Sequence, residues 1–585
     1  MNNTGRENAQ SAAPSPTAAT AAAAAAMGCP PPVGQVRQAA QFWLKGEPFV
    51  WATGAALAAT LTMTAVLLGV VLWNGLGVFW PSPLEAVVLK DGSKLLGDVN
   101  DVQYDPHTEK TNIKYRVGNS ELQQPFRWVS ADEIASIEYP PNALMLDRMR
   151  DLQYIGYLKS IEAPGLELAP TDDPPAALAA ALSAVRARRD AELSELMAQE
   201  KQAAQELHRQ VKYQLIRARY QFKQLAPEDR QSSSRGQVLT QRIAELERQE
   251  TELKNTTDRL RGQINARMQE LRRNVAVFVD ASGREKQIAL LDIVRFCHPN
   301  SMTLWAKVKH YAAKVWELVS DDPREANQDG GIFPAIFGTV LMVFLMAIAC
   351  FPLGVLAGIY LGEYAKSGPL VNLVRVAVNN LAGIPSIVFG IFGLGFFIYL
   401  VGGQLDAWFY PDRVAAAEPV FGKSSILWAS LTLGLLTVPV VIVSTEEALR
   451  AIPRSIPEGA YALGSTKFQT LWRVLMPMAS PGVMTGFILA MARAAGEVAP
   501  LMLTGAVKDA PLPLDSQFPF IQFDQKFMHL GYHILDISCK SPNVEATKPL
   551  VYATTLLLLL IVLGMSGSAI WLRNRMRARY QSRAM

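Results

Sequence analysis

IFPAIFGTVLMVFLMAIACFPLGVLAGIYL, residues 332–361, runs for 30 residues without one charged side chain. About 20 apolar residues suffice for a helix to cross the ~30 Å hydrocarbon core of a bilayer. Trp51–Gly75, Val376–Gln404, Ser424–Thr445 and Pro549–Leu572 are uncharged in the same way. Val474–Val507 is interrupted only by Arg493 and Glu497. These stretches predict an α-helical polytopic membrane protein with six spans and both termini on one side. Arg573, Arg575, Arg577, Arg579 and Arg583 follow the last span, and excess positive charge marks cytoplasmic segments. Both termini are therefore expected in the cytoplasm. Lys366, Arg375, Arg450, Arg454, Lys467 and Arg473 agree.

Composition fits this layout. Half of the 585 residues are hydrophobic and 18% are charged, against roughly 25% charged in soluble domains. Of the charged residues, 30 fall within residues 181–270, so one polar block is set among apolar ones. A net charge of +4 is too small at this length to suggest a nucleic-acid partner. Cys29, Cys297, Cys350 and Cys539 form no CxxC pair or Cys/His cluster, so no metal site is expected. Cys350 reads as a small packing residue. For Cys297 and Cys539, a disulfide and two free thiols both remain open.

Five segments follow. Residues 1–48 are rich in Ala, Pro, Ser and Thr and predict a disordered cytoplasmic arm. Residues 49–76 hold the first span. Residues 77–328 form an insertion on the opposite, outer face. Residues 329–575 carry the other five spans, and 576–585 a basic tail. The insertion predicts a β base with an antiparallel coiled-coil hairpin. Asp91-Gly92 turns Val87–Val99 into a strand pair, and Ile113–Val117 with Phe126–Ile137 adds strands. Residues 175–274 read as two helices broken at Ala226-Pro227 and Ser232–Gly236. Leu239, Leu246, Leu253 and Leu260 repeat every seven residues along the second. Such a hairpin would project on the order of 50–70 Å. VSADEIASIEYP (129–140) matches IALLDIVRFCHP (288–299) in an acidic-Ile pair and a closing Pro. Two related β units that flank the helices and pair with each other would explain this, as would chance likeness.

Two sites carry chemistry. Between the fourth and fifth spans, Glu458-Gly459-Ala460-Tyr461-Ala462-Leu463-Gly464 precedes Val474, Met476 and Pro477. A short helix bounded by Pro457 and Gly464 can protrude and seat in a partner's groove. Within the fifth span, Arg493 and Glu497 stand four apart, so on a helix they share a face. Intramembrane charges are costly and usually face a pathway or a bundle interior. A structural ion pair locking the bundle is the other reading. Gly383, Ile384, Pro385, Ser386 and Gly390 lie inside the third stretch, where they serve close helix packing or a pathway-lining kink. Gly422-Lys423-Ser424 resembles the end of a P-loop but lacks the earlier Gly and the preceding strand.

The Glu458–Gly464 segment resembles the EAA loop of ABC importer permeases, with Glu and Gly six apart and the closing Pro thirteen beyond. Gly459 stands where that family has Ala. GIPSIVFGIFGLGFF (383–397), ARAAGEVAPLMLTGA (492–506) and GTVLMVFLMAIACFPLGVLAGIYLGEYA (338–365) are similar to segments of the PstA-type phosphate permeases. The resemblance covers roughly residues 332–575, and the large insertion departs from the short form of the family. It implies the permease subunit of an ATP-driven phosphate importer in a bacterial inner membrane. Such a subunit is no enzyme and binds no cofactor, ATP being used by a partner ATPase. The implied partners are a PstC-like permease in a heterodimer, a PstB-like ATPase dimer and a PstS-like periplasmic phosphate-binding protein, in a lipid setting. Arg493 and Glu497 would then line the substrate pathway, and Glu458, Gly459, Ala460, Gly464 and Pro477 would couple to the ATPase. A membrane sensor with an outer coiled coil, or an ion-coupled secondary anion transporter, are the readings from other classes.

Overall fold

The computed structural model describes residues 47–581, except residues 108, 119–125, 151–152, 165–172, 325–326, 328, 367, 516–519 and 542–543. The Ala-rich arm, Cys29 and Arg583 lie outside the described residues. The chain divides into two units, Met1–Trp73 and Asn74–Met585. The described part of the first lies in a helix that starts at Glu47, is apolar from Phe49 and runs on to Gly77.

In the second unit, Phe333–Tyr364, Ser386–Phe409, Ile426–Arg450, Lys467–Gly496 and Thr547–Arg575 are long and apolar enough to cross a membrane. With the first helix they make the six expected spans. At ~1.5 Å rise per residue they measure roughly 36–48 Å. The fourth span is the centre of the bundle. Its Ile426, Ala429, Leu433 and Leu436 share a core with Met342, Val343 and Met346 of the second span and Met491, Ala494 and Ala495 of the fifth. A hydrophobic effect does not drive helices together in lipid, so association depends on close packing. The required contacts come from small residues. A Cβ on Gly434 would lie 1.6 Å from Cys350 Sγ, and one on Gly358 would lie 2.6 Å from Thr445 Cβ. On the fifth span, a Cβ on Gly486 would lie 1.7 Å from Ser444 Oγ. Cys350 therefore packs against a glycine, as its setting predicted. The buried hydroxyls of Ser430, Thr432 and Thr445 donate to carbonyls four residues back, so none is left bare in the interior.

The insertion contains two five-stranded sheets with one shared plan. β1 (Glu85–Leu89), β2 (Lys94–Asp105), β3 (Lys110–Arg116), β4 (Phe126–Ser130) and β5 (Ile134–Glu138) form an antiparallel sheet in the order β4-β3-β2-β1-β5. β6 (Leu144–Arg148), β7 (Gln153–Glu162), β8 (Val275–Val279), β9 (Glu285–Ala289) and β10 (Ile293–Cys297) form the second, in the order β10-β6-β7-β8-β9. In each copy the fourth strand passes through a single 3-10 turn, Ala131–Glu133 or Leu290–Asp292, and the fifth crosses to the first. The 129–140 and 288–299 segments occupy equivalent places in the two sheets. Two expectations need correcting. The helices do not lie between the two β units but interrupt the second one, between β7 and β8. Among the described residues the two sheets also share no ladder; an isolated bridge, Gly118 to Tyr154, links them.

The helical hairpin comprises Pro174–Glu206, a wider turn through Val211, Lys212–Gln224, and the return helix Ser234–Leu271. The ion pairs Glu200–Arg261 and Arg219–Glu247, with the bond from Arg242 to Gln214, show that the helices run antiparallel. Leu246 packs with Val211, Leu215 and Ala218 along the seam. The hairpin does not simply project away. Lys212 pairs with Glu418 at 2.6 Å, and Arg413 lies 4.3 Å above the Tyr213 ring. Both partners belong to the connection between the third and fourth spans, so the distal hairpin bears on the membrane domain.

Cys297 is buried, Cys539 is exposed, and both are free thiols. The third span begins at Ser386 and not at Val376. Pro369–Leu381 is a separate helix with no buried residue, and the chain breaks before Pro385, which caps the new helix. The residue before a proline avoids helical backbone, which places the break at Ile384.

Gly434→Ala is expected to cost about 1–3 kcal/mol by overpacking the crossing, read as a lower thermal midpoint in detergent. Adding Cys350→Ala should restore part of the loss. Burial holds two imidazoles of the Leu530–Cys539 region low, His529 at about 3 and His533 at about 4. Their ordinary value near 6.5 applies when unfolded. Their contribution to stability is therefore present above pH 6.5 and is lost as pH falls toward 4. His533→Leu should flatten the fall in thermal midpoint over that window.

Candidate functional site

The segment between the fourth and fifth spans folds as a short knob. Its helix, Ser455–Ala462, starts two residues before Pro457, which sits in the first turn where its missing N–H costs nothing. The helix ends on Gly464 at φ +84°. The Gly464 amide donates to the Tyr461 carbonyl and the Ser465 amide to the Ala460 carbonyl, which closes the last turn. Thr466 and Gln469 then cap the fifth span reciprocally. Glu458 and Gly459 are exposed on the knob and Ala460 is half-buried. Tyr461, Leu463, Phe468 and Trp472 are exposed as well, Leu463 by 89%. Pro477 lies further on, within the fifth span.

Beside the knob, the ends of the neighbouring spans are tied together. Lys467 Nζ donates to the Glu363 carbonyl at 2.6 Å and sits over the Tyr364 ring. Glu446, at the end of the fourth span, accepts from Arg375 at 2.8 Å and from Arg450 at 2.5 Å. Arg375 also donates to the Leu361 carbonyl. These contacts connect the ends of the second and fourth spans, the Pro369–Leu381 helix and the start of the fifth span. Motif spacing does not single out Glu446, and it leaves Arg375 and Lys467 as topology markers only. The signal for Glu446 is a pair of carboxylates, Glu446-Glu447, immediately after an uncharged span, with cations four residues on and at the neighbouring helix.

Arg493 and Glu497 are brought together, with Arg493 Nε 3.4 Å from Glu497 Oε1. They do not share a helical face, however. The fifth span ends at Gly496, Glu497 is extended, and a six-residue helix begins at Ala499. The break holds because Pro500 follows and because neighbouring glycines accept it closely. A Cβ on Gly390 would lie 2.7 Å from Pro500 Cα, and one on Gly531 would lie 2.7 Å from Val498 Cγ2. Gly390 is therefore a packing position. Gly383, Pro385 and Ser386 lie at the entry of the third span. Arg493 stays about one-third exposed while the adjacent Ala494 and Ala495 are fully buried. Leu489, Arg493 and Gly496 thus lie on the face turned away from the bundle core.

The Gly422-Lys423-Ser424 segment holds no phosphate cradle. The buried Asp406 carboxylate accepts from the Phe421 and Gly422 amides, at 2.9 and 2.6 Å, and Lys423 pairs with Asp524. Among the described residues, no group of His, Cys, Asp and Glu could hold a metal ion.

Residues 354–578 match the family described as binding-protein-dependent transport system inner membrane component. The chain is 37% identical over 174 residues to the phosphate transport system permease protein PstA of Mycobacterium leprae (strain TN), covering 30% of this chain and 51% of that one. It is 34% identical over 241 residues to PstA of Yersinia pestis, covering 41% and 72%. The probable ABC transporter permease protein YqgI of Bacillus subtilis (strain 168) is 30% identical over 224 residues, covering 37% and 70%. The chain spans about half the length of the mycobacterial relative and about seven-tenths of the other two.

Gly464→Ala places a side chain at a positive φ, a strain of about 1 kcal/mol. Amide exchange at residues 463–465 should rise roughly fivefold, by the same 1 kcal/mol, while the spans keep their protection.

Proposed function

The chain belongs to the binding-protein-dependent transport system inner membrane components, and from that membership we propose that it is one membrane half of an ATP-driven importer of inorganic phosphate. The observation that carries the reading is the Glu458–Gly464 knob. It presents Tyr461 and Leu463 at the end of the bundle where Lys467, just beyond it, donates to the Glu363 carbonyl. Tyr461 and Leu463 on the protrusion, with Phe468 and Trp472 exposed on the first turns of the fifth span, suit insertion into a groove of a partner. That partner would be a PstB-like ATPase dimer. Gly464 and the capped Thr466 would keep the knob stiff, so that motion of the ATPase passes to the second and fourth spans. The chain's own part is transmission and passage, and hydrolysis belongs to the ATPase.

The second permease half, a PstC-like chain, would cover the open face bearing Leu489, Arg493 and Gly496. Arg493 would then lie at the boundary between the two halves. A guanidinium fork can hold phosphate oxygens bidentately. Glu497 would hold the fork when no anion is bound and release it when one arrives, which keeps a buried cation paired throughout. The phosphate permeases of Mycobacterium leprae and Yersinia pestis, among the relatives, support phosphate as the cargo. A PstS-like binding protein would deliver it on the insertion side. Alternating access follows if closure of the ATPase draws the knobs together and opens the pathway outward. With this arrangement the termini and the knob lie in the cytoplasm and the insertion in the periplasm of a bacterial inner membrane.

Two measurements test the proposal. Radiolabelled phosphate uptake should fall at least about tenfold in Arg493→Ala, about 1.4 kcal/mol or more by rate, with ATPase copurification unchanged. Undiminished uptake by the assembled variant would remove Arg493 from the pathway. Leu463→Asp should abolish ATPase copurification while the partner permease is retained. Uptake that survives ATP depletion and collapses with an ionophore would overturn the ATP-driven reading.

A further inference from the structure

Between β10 and the second span lies a helix, Leu304–Ser320, LWAKVKHYAAKVWELVS. Its polarity is inverted relative to a helix packed on a soluble domain. Lys314 and Glu317 are buried with Leu318 on the inner face. There Lys314 Nζ lies 2.5 Å from Asp147, and Glu317 pairs with Arg295 and Arg324. The outer face carries Leu304, Trp305, Val308 and Trp316, with Ala312 and Lys309 among them. Trp305 is 77% exposed and Trp316 71%. Positions 304, 305, 308, 309, 312 and 316 share one side at helical spacing. Soluble surfaces rarely leave two indoles bare on one stripe.

The helix stands where spans meet the bilayer surface. The amide of Ile332, one residue before the second span, donates to the Leu318 carbonyl at 2.8 Å. Trp80, three residues after Gly77, lies against Tyr311 with ring centroids 6.2 Å apart. Leu318 packs with Leu550 and Ala553 near the start of the sixth span. The third span also ends at this level with exposed Trp408 and Phe409. Tryptophan concentrates at the headgroup boundary, where one end of the ring is wet and the other apolar.

We infer that the outer face of Leu304–Ser320 seats in the outer-leaflet headgroup region and binds phospholipid, with anionic headgroups favoured through Lys309. The central placement of Lys309 decides between lipid and protein as occupant. A dry protein interface would have to bury its ammonium, at a desolvation cost. At a bilayer surface the same side chain reaches the phosphate level while its stem lies along the indoles. The helix thereby pins the β base, and through it the helical hairpin, to the membrane plane.

The full chain alone, in nanodiscs of phosphatidylcholine with or without phosphatidylglycerol, tests this by hydroxyl-radical footprinting read by mass spectrometry. Trp305 and Trp316 should oxidise at least about fivefold more slowly than Trp128, an exposed tryptophan of the first sheet. Phosphatidylglycerol should deepen that protection, and Lys309→Glu should remove the added effect. Oxidation of Trp305 and Trp316 at the rate of Trp128 would overturn the inference. Protection that appears only when a second permease is present would also overturn it, and would assign the face to protein.

Discussion

Gly434 on the fourth span and Gly354, Gly358 and Cys350 on the second leave no space for larger side chains, and the rest of the bundle is arranged around that crossing. In lipid the apolar surface of a helix gains little by meeting another apolar helix, so contact distance decides which helices associate. Glycine faces on both the second and the fifth spans let the fourth sit between them. Once the fourth span is enclosed, its Ser and Thr hydroxyls must bond within the helix, and they do. Its far end then carries Glu446 to the place where Arg375 and Arg450 converge. The knob follows directly along the chain from this span, the most enclosed of the six.

The insertion solves a different problem. A duplicated five-stranded sheet must carry a long helical hairpin without an independent anchor for it. The hairpin leaves from β7 and returns to β8, adjacent strands whose ladder closes its base. Its distal part is held a second time by Lys212–Glu418 and Arg413–Tyr213. A buried ion-pair cluster around Lys314 and Glu317 holds the Leu304–Ser320 helix on the base, and Asn327 donates to the Lys508 carbonyl of the membrane domain. Buried ion pairs add little net stability but penalise every arrangement that separates them. They suit a joint that must keep one orientation.

Much of the site is legible in the sequence. Glu458 and Gly464 are close along the chain, and Gly464 ends the short helix through local backbone alone, so spacing locates the knob. Arg493 and Glu497 stand out because charge is conspicuous in an apolar stretch. Their geometry is not legible in the same way, since helical spacing places both on one face. Pro500 and the close approach of Gly390 and Gly531 instead end the helix between them. Hydropathy misplaces the start of the third span for a similar reason: it runs through Pro385, whereas the helical backbone does not.

By itself the sequence determined the spans, their number and the knob, because hydrocarbon thickness and local turn chemistry act on short stretches of chain. It also held two similar segments, 129–140 and 288–299, that take equivalent places in the two sheets. Only the tertiary structure decided that the hairpin interrupts the second sheet, that it rests on the 413–418 connection, and that Leu304–Ser320 turns its tryptophans outward. Those outcomes depend on which distant residues meet Lys314, Tyr213 and Gly434. Partner choice between distant residues is set by packing in three dimensions and leaves no period along the chain.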